Sequence, residues 1–585
     1  MILCKTPRPT LALLALAAFL AAATLLPSER LFAATAADPA DLVLRGGVVY
    51  TVDAARSWAQ ALAVKGGRLV YVGSDRGVAS LVGPRTQVVD LAGRLVLPGF
   101  VDAHVHPVSG GVELGQCNLN DLPDAKTIFD KVRKCATEKP GPEWLVGGGW
   151  SLTAFPAGAP TRQELDAVVR DRPVFLYSAD GHSSWANTKA LELAGVTRET
   201  RDPKDGRVER DAKGDATGTL RESAGDLVSR LLPKISLEER VAGLVRAVDH
   251  ANRNGLTGLQ EANAGGGPEG GGRGALEAYR ETERTGRLNA RVTVSLGTDA
   301  SRGAEQVDGL VALRREFSAD LVRPRAVKIF ADGVIEAHTA AMIQPYQDKP
   351  ADPGEPIWSD AALRSLVARL VREDFNVHVH AIGDRAVRMT LDAMEAARPG
   401  EGDRRPRYQI AHLELIHPAD VPRFRALGVI ANFQPLWAWA DSYIKDLTWP
   451  VIGPERSRYL YPIGSVARSG AVLAFGSDWS VSSLNPLEGI QVAVTRQGLP
   501  GENEPPLLPE EAIDLPTAIA AYTIGAAYAL DRETEIGSLE VGKAADLVVL
   551  SLNVFMAKPR EIARAKVLLT LFGGRPVWRD PAFAF

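Results

Sequence analysis

Short apolar runs alternate with amphipathic, helix-like stretches along the middle of the chain. Apolar runs of this length, each followed by a helical pattern, indicate buried strands of a parallel sheet. The eight candidate strands are Gly99–His104, Gly258–Glu261, Arg291–Leu296, Ala326–Phe330, Asn376–His380, Gln409–Leu413, Val429–Gln434 and Val472–Gly476. Eight strand-plus-helix units are typical of a (β/α)8 barrel, whose chemistry lies at the carboxyl ends of the strands. The pattern therefore predicts an α/β fold with a TIM-type barrel over residues 98–532.

The first two candidate strands lie about 150 residues apart, which is too far for one strand–helix–strand unit. We therefore expect a large insertion over residues 111–235, placed after the first strand, where it would cover the mouth of the barrel. A glycine-rich run, Ala264–Gly274, follows the second strand and predicts a flexible loop. The alternative for both segments is packing without a functional role.

Both ends of the chain carry short β patterns separated by glycine turns. One set occupies residues 41–97, and the other, with runs such as Asp546–Leu550, occupies residues 533–585. Two short β-rich ends that flank one long middle predict a single small β-sandwich domain built from both termini.

The first residues of the chain follow a different pattern. Lys5 and Arg8 precede the apolar run Leu11–Leu26, and Ala34–Ala36 offers an A-x-A cleavage site. This order predicts a signal peptide over residues 1–36 and export to the periplasm or the exterior. The alternative is an uncleaved membrane anchor, for which sixteen apolar residues are few.

Export would determine whether the cysteines can form a disulfide. Cys4 lies inside the predicted signal peptide, which leaves Cys117 and Cys135 in the mature chain. An oxidising compartment would allow them to form a disulfide, and the alternative is two free thiols. Neither has the C-x-x-C spacing of a cysteine zinc site.

The composition narrows the class of partner. The chain of 585 residues is 45% hydrophobic and 24% charged, with a formal net charge of −4. There is no basic surplus of the kind that nucleic-acid binding requires. We expect a small-molecule substrate, no nucleic acid and no stable membrane insertion after signal cleavage; a homo-oligomer is compatible with the sequence.

Six polar residues stand at the predicted carboxyl ends of barrel strands. His104 and His106 end the first strand, and their i, i+2 spacing places both imidazoles on one face. The others are Lys328, His380, His412 and Asp478. Imidazole and carboxylate groups suit Zn²⁺ and related divalent ions, so the pattern predicts a metal site at the barrel mouth.

Together these features resemble the amidohydrolase superfamily, and within it the amidohydrolase-3 branch that includes N-substituted formamide deformylases. The resemblance covers essentially the whole mature chain. The segments that carry it are Pro98–His106, Asp180–His182 with Asn187, Gly218–Glu222, Lys328–Gly333, His380–Ala386, Gln409–Glu414 and Phe475–Trp479.

The resemblance implies a role for each of the six residues. His104 and His106 would bind a buried metal ion with Asp478. His380 and His412 would bind a second, more exposed ion. Lys328 would bridge the two ions after N-carboxylation, which converts its amine into a carboxylate-like ligand. If Lys328 is unmodified, the site would hold one ion, and Lys328 would pair with a carboxylate or orient the substrate.

The implied activity is hydrolysis by an exported metal-dependent amidohydrolase. One or two divalent ions, with Zn²⁺ as the first choice, would activate hydroxide, and Asp478 would serve as general acid and base in cleaving a non-peptide, amide-type C–N bond. An esterase, a lactonase or a dipeptidase-like hydrolase would use the same site. A binding or regulatory protein on this scaffold is a further alternative.

Residues outside the six ligand positions complete the set of candidates. His182, in the insertion, is predicted to contact the substrate or its oxyanion, with a structural role as the alternative. Glu222 is expected to line the pocket or to pair with Arg221. His338 is predicted to contact the substrate.

The tryptophans suggest an apolar or aromatic substrate, with packing as the alternative. The candidates for substrate contact are Trp150 and Trp479, with Trp185, Trp437 and Trp439 nearby. His378 is expected to pack in the core or to support a metal ligand. Glu261 is expected to face the pocket. His250 and His417 are not expected to bind the metal.

Overall fold

The computed structural model describes residues 38–120, 122–265, 272–398, 402 and 406–585. Eight parallel strands form its central sheet and follow one another in chain order. They are called the first to the eighth barrel strand: Phe100–Val105, Leu256–Glu261, Arg291–Gly297, Val322–Phe330, Asn376–Ala381, Tyr408–His412, Ile430–Phe433 and Leu473–Phe475. The predicted (β/α)8 barrel is confirmed.

Hydrogen bonds close the barrel between its first and eighth strands. The backbone N–H of Asp478 donates to the His104 carbonyl at 2.7 Å, and that of His106 donates to the Trp479 carbonyl at 2.9 Å. One carboxylate oxygen of Asp102 accepts from the backbone N–H of Ser477 at 3.0 Å. Closure therefore brings the residues after the eighth strand directly beside the histidines of the first.

Helices surround the barrel because their apolar faces pack against the outward side chains of the strands. Helix Leu237–Arg253 begins at Ser236, whose hydroxyl accepts from the Glu239 N–H while the Glu239 carboxylate accepts in return. The other helices of the barrel region are Arg273–Arg284, Val307–Phe317, Asp360–Arg372, Asp384–Ala397, Val421–Leu427, Trp449–Arg456, Ile463–Arg468, Pro486–Thr495, Leu515–Ala520 and Ala526–Ala529.

The two ends of the chain form two facing sheets. One sheet has the strand order Arg68–Gly73, Ala61–Lys65, Leu42–Arg45, Gln87–Asp90, with helix Asp75–Val78 before the last. The other has the order Arg575–Arg579, Val567–Phe572, Leu547–Leu550, Leu95–Pro98, Val48–Tyr50, Trp58–Ala59. Leucines and valines from both sheets share one core, so the fold is the expected β-sandwich built from both termini. The domain limits 41–97, 98–532 and 533–585 stay predictions.

The segment between the first and second barrel strands contains a sheet of its own. Its strand order is Gly206–Arg210, Ala216–Glu222, Ser183–Ala186, Val174–Ser178, Leu145–Trp150, Cys117–Asn118. Its helices are Pro107–Glu113, Ala125–Glu138, Arg162–Asp166, Thr188–Ala194 and Asp226–Ser229. A disulfide joins Cys117 to Cys135 and ties an edge strand to the longest of these helices.

Two sequence predictions fall wholly or partly outside the described residues. The predicted signal peptide, residues 1–36, lies outside them, and so do residues 266–271 of the glycine-rich run. Within the described part of the chain, no helix has the length and apolar character that a membrane span needs.

Candidate metal centre

The two histidines of the first strand both reach the side chain of Asp478. His104 is fully buried, and its Nε2 lies 3.5 Å from Asp478 Oδ1. His106 Nε2 lies 3.0 Å from the same oxygen. Burial lowers the pKa of His106, but Asp478 and Glu261 outweigh it and raise the pKa to about 9. A ligating imidazole is neutral, so a metal ion at this position would displace that proton.

The backbone aims two more candidate ligands at the same point. His412 is the last residue of the sixth strand and Asp478 lies just after the eighth. Both have left-handed backbones, with φ of 77° and 55°. This conformation is uncommon for non-glycine residues and redirects each side chain at the strand end. His412 Nδ1 consequently lies 3.8 Å from Asp478 Oδ2. One donor atom each from His104, His412 and Asp478 lies within 4.8 Å of the other two.

These donor atoms fit a bound cation. His412 Nδ1 and Asp478 Oδ1 are buried and have no well-aligned hydrogen-bond partner, although His106 Nε2 is close to the latter. Buried polar atoms without partners are costly and need a structural reason. A divalent ion held by two imidazoles and a carboxylate would satisfy both atoms, and this donor set suits zinc.

Lys328 enters the cluster from the fourth strand. Its Nζ lies 3.1 Å from His104 Nε2 and 4.8 Å from the centre of the Phe330 ring. Burial lowers the pKa of Lys328 to about 7, against the opposing effect of Asp478 and Glu261. An amine with this pKa is partly neutral at neutral pH, and the neutral form is the one that can react with carbon dioxide.

His380 stands at the far side of the cluster. Its ring centre lies 4.5 Å from that of His412. Its Nε2 lies 3.0 Å from the Gly333 carbonyl, so that nitrogen is the donor and Nδ1 is left for a ligand. Asp332 fixes the surrounding loops, since its carboxylate accepts from the backbone N–H groups of Ile382, Gly383 and Ala341.

His182 approaches from the insertion. Its Nδ1 lies 2.9 Å from a Glu222 carboxylate oxygen, and its ring centre lies 5.6 Å from that of His380. Burial lowers the pKa of His182, but Glu222 outweighs it and raises the pKa to about 9. The other Glu222 oxygen accepts from Thr339 Oγ1 at 2.8 Å.

The carboxylate of Glu222 pairs with His182 rather than with Arg221, and its predicted place in the substrate pocket stays a prediction. Glu222 faces His182, whereas Arg221 pairs with Glu209 at 3.1 Å. The backbone of Glu222 has φ 48° and ψ −133°, a strained conformation for a non-glycine residue. Strain of this kind collects where the surrounding structure holds a side chain for function.

Other sequence candidates lie elsewhere. Trp150 is a correction: its side chain is completely buried in the core of the insertion, with Nε1 donating to the Leu176 carbonyl, so no surface is left for a substrate. His338 contacts Asp348 at 2.9 Å and the Tyr346 ring. The roles predicted for His338 and Trp479 stay predictions.

One tryptophan does contact the cluster. The Trp437 ring stacks on His412, with 5.7 Å between ring centres and 5° between the planes. Trp479 instead packs beside His250, at 5.6 Å between ring centres, and is 7% exposed.

Sequence reasoning missed a set of polar side chains inside the barrel. Gln260, Ser295, Gln409 and Asn432 are fully buried and lie beneath the metal-ligand candidates, linked to them through His378. The signal was available, because each is a polar residue within an otherwise apolar strand.

Comparisons with known proteins identify the family of the chain. A family model described as the amidohydrolase family matches residues 87–578. Protein LONG AFTER FAR-RED 3 of Arabidopsis thaliana is 31% identical over 546 residues, which cover 92% of each chain. N-substituted formamide deformylase of Arthrobacter pascens is 29% identical over 547 residues, covering 91% of this chain and 97% of the relative. A solved structure titled an uncharacterized metal-dependent hydrolase from Pyrococcus furiosus shares 26% identity with a TM-score of 0.67, covering 89% of this chain and 99% of that one.

Proposed function

The chain belongs to the amidohydrolase family, and from this premise we propose that it is an exported metal-dependent hydrolase of a non-peptide, amide-type C–N bond. The observation that carries the proposal is the convergence of His104, His412 and Asp478, with two buried donor atoms left without aligned partners. The similarity to a relative named N-substituted formamide deformylase supports an amide-type substrate.

The residues present would hold at least one divalent ion, for which Zn²⁺ is the first choice. His104, His412 and Asp478 would form the core of the site, whereas the sequence assigned His412 to a second ion together with His380. His106 would complete the core once its proton is displaced. His380 and an N-carboxylated Lys328 would add the ligands for a second ion. When bound, the metal would lower the pKa of a coordinated water and polarise the substrate carbonyl.

Asp478 is the proposed general acid and base. Its two carboxylate oxygens lie at the centre of the cluster, 3.0 Å from His106 and 3.8 Å from His412. In the proposed reaction Asp478 accepts a proton from the attacking water and delivers it to the nitrogen of the leaving amine. General acid–base catalysis of this type contributes about 10²–10⁴-fold to the rate.

His182 is the proposed second catalytic group. Glu222 binds its Nδ1 side, which leaves the Nε2–H for a substrate atom above His380. With Glu222 beside it, the imidazolium form is favoured, and it would donate a hydrogen bond to the oxygen that becomes negative as the carbonyl is attacked.

The test combines metal analysis with a matched substrate panel. We would purify the protein with its native metal and measure hydrolysis of N-formyl and N-acyl amines alongside esters with the same acyl groups. The proposal expects stoichiometric metal and faster cleavage of amides. A panel in which only esters or lactones are cleaved would overturn the C–N assignment, and absence of stoichiometric metal after gentle purification would overturn the metal site.

A further inference from the structure

A continuous chain of buried polar side chains crosses the barrel beneath the metal-ligand candidates. In order of contact its members are His104, His378, Ser295, Gln260, Gln409, Asn432 and Gln434. Each is at most 1% exposed, and together they come from six of the eight strands. Polar groups in such a place are costly unless they are paired, and only Gln434 Oε1 at the end of this chain lacks a partner. A linked chain of this length calls for a role beyond packing.

The hydrogen bonds of the amide groups fix the direction of this chain. Asn432 Nδ2 donates to the Ala103 carbonyl at 2.8 Å, which identifies it as the amide nitrogen. It also donates to Gln409 Oε1 at 3.0 Å, and Gln409 Nε2 donates onward to Gln260 Oε1 at 3.1 Å. Gln260 Nε2 then donates to Ser295 Oγ at 3.0 Å. Along this chain, each amide therefore donates its hydrogen bond in the same direction, from the seventh strand towards Ser295.

Ser295 connects this chain to two histidines. Its Oγ lies 3.0 Å from His378 Nδ1, and His378 Nε2 lies 3.0 Å from His104 Nδ1. Gln260 Nε2 lies 3.2 Å from the same His378 Nδ1, and this contact is a hydrogen bond only when that nitrogen carries no proton. In one arrangement His378 donates to His104, and the proton of a neutral His104 ring then sits on Nε2. In the other, His104 Nδ1–H donates to His378 Nε2, and His378 Nδ1–H donates to Ser295 Oγ. Only the second leaves a lone pair on His104 Nε2.

We propose that His378 is a positioning residue of the metal centre, which accepts the Nδ1–H of His104 and so presents His104 Nε2 as the ligand atom. The inference rests on the proposed function. His104 Nε2 is the atom that lies 3.5 Å from Asp478 and 3.1 Å from Lys328. The Lys328 ammonium favours this arrangement, because it can donate only to a His104 Nε2 that keeps its lone pair. In exchange, His378 Nδ1 gives up its contact with Gln260 Nε2 and donates to Ser295 Oγ.

The test measures metal affinity in variants that differ only in the acceptor at position 378. His378→Gln keeps an acceptor near the position of Nε2, whereas His378→Met has a similar size and offers only a thioether sulfur, which is a weak acceptor. Competition against a chromophoric chelator, with zinc alone as the probe, gives the dissociation constant of each full-length protein. We expect His378→Met to weaken zinc binding about 10–100-fold, the range found when supporting partners of metal ligands are lost. His378→Gln should restore most of that loss.

A matched control separates positioning from general loss of stability. Val379→Ala removes a buried side chain from the same strand that contacts the surrounding core rather than the polar chain. It should lower the melting temperature and leave the zinc dissociation constant unchanged. Equal weakening in Val379→Ala, or His378→Gln as weak as His378→Met, would overturn the proposal.

A milder variant covers the case in which His378→Met does not fold. Ser295→Ala removes only the hydroxyl that accepts the His378 Nδ1–H, and it should weaken zinc binding by a smaller factor in the same direction. Wild-type affinity in Ser295→Ala would then overturn the proposal. Failure of the wild-type protein to bind zinc would instead overturn the proposed function itself, so the two failures are distinguishable.

Discussion

The two ends of the barrel differ in how their charged side chains are paired. At the amino ends of the strands, arginines face carboxylates: Arg291 lies 2.9 Å from Asp546, and Arg325 lies 2.7 Å from Asp374. At the carboxyl ends, several histidines lie close to Asp478, and two of the atoms that could bind a metal ion have no aligned hydrogen-bond partner.

We infer from this difference that the charged groups at the amino ends serve stability and those at the carboxyl ends serve the proposed function. The Arg291–Asp546 pair holds the barrel to the β-sandwich, since Asp546 directly precedes a sandwich strand, whereas the Arg325–Asp374 pair lies within the barrel. At the carboxyl ends, His412 Nδ1 and Asp478 Oδ1 are buried without an aligned hydrogen-bond partner, although His106 Nε2 lies 3.0 Å from the latter, and atoms of this kind favour a bound ion. Substitutions at the two ends should therefore affect different measurements.

The largest effect is expected for Asp478→Asn. The amide cannot accept the proton of the attacking water, so kcat/KM should fall about 10³-fold or more, within the range of general acid–base catalysis. Steady-state kinetics checks the rate, and circular dichroism checks that the fold persists. A near-normal rate would remove Asp478 from the mechanism.

Removal of the metal ion should also affect the carboxyl end of the barrel. Dialysis against a chelator should abolish turnover, and added zinc should restore it. The melting temperature should rise with zinc concentration, because a ligand that binds only the folded state stabilises it by mass action. Calorimetry with and without zinc measures this, and activity that survives complete metal removal would contradict the metal-dependent scheme.

A smaller loss is expected for Glu222→Gln. The amide no longer stabilises a cationic His182, and kcat should fall about 10–100-fold with a minor change in KM. Glu209→Gln is the matched control, since Glu209 holds Arg221 in the neighbouring strand pair and does not contact His182. Equal losses of kcat in both variants would indicate a structural effect.

At the opposite end, Arg291→Ala should change stability and leave catalysis intact. Asp546 is 4% exposed, and removal of its cation leaves an uncompensated buried charge, which costs about 3–5 kcal/mol. Burial already raises the pKa of Asp546, against the effect of Arg291. A carboxyl whose folded pKa is raised favours folding at low pH and loses that contribution as pH rises through the folded pKa.

The stability deficit of Arg291→Ala should consequently be larger at pH 8 than at pH 5. Urea unfolding at both values measures it, with kcat per folded molecule as the second readout. A deficit that is independent of pH, or a loss of kcat in fully folded protein, would contradict the division between the two ends.

The smallest effect is expected in the insertion, away from both ends. Replacing Cys135 with serine opens the Cys117–Cys135 disulfide, which closes a loop with a sequence separation of 18. The chain-entropy model gives about 3 kcal/mol for a loop of this size. Thermal melting with and without reductant measures it, and the serine variant should no longer respond to reductant.

Particular residues show how far the sequence could predict this site. The strand-end positions of His104, Lys328, His380 and Asp478 followed from local apolar patterns, because strand period and strand order are local properties. The left-handed backbones of His412 and Asp478 were not predictable in this way. Trp150 was misjudged because its neighbourhood suggested a pocket, whereas packing with distant aromatic residues placed it in a core.

The sequence by itself determined the barrel, the sandwich from both termini, and the kinds of side chain that stand at the strand ends. Only the tertiary structure decided which of them face each other. His182 meets Glu222 across 40 residues, and His378 meets His104 across 274. Such pairs depend on how strands and loops pack in space, and no local pattern of hydrophobic and polar positions specifies a contact between residues so far apart.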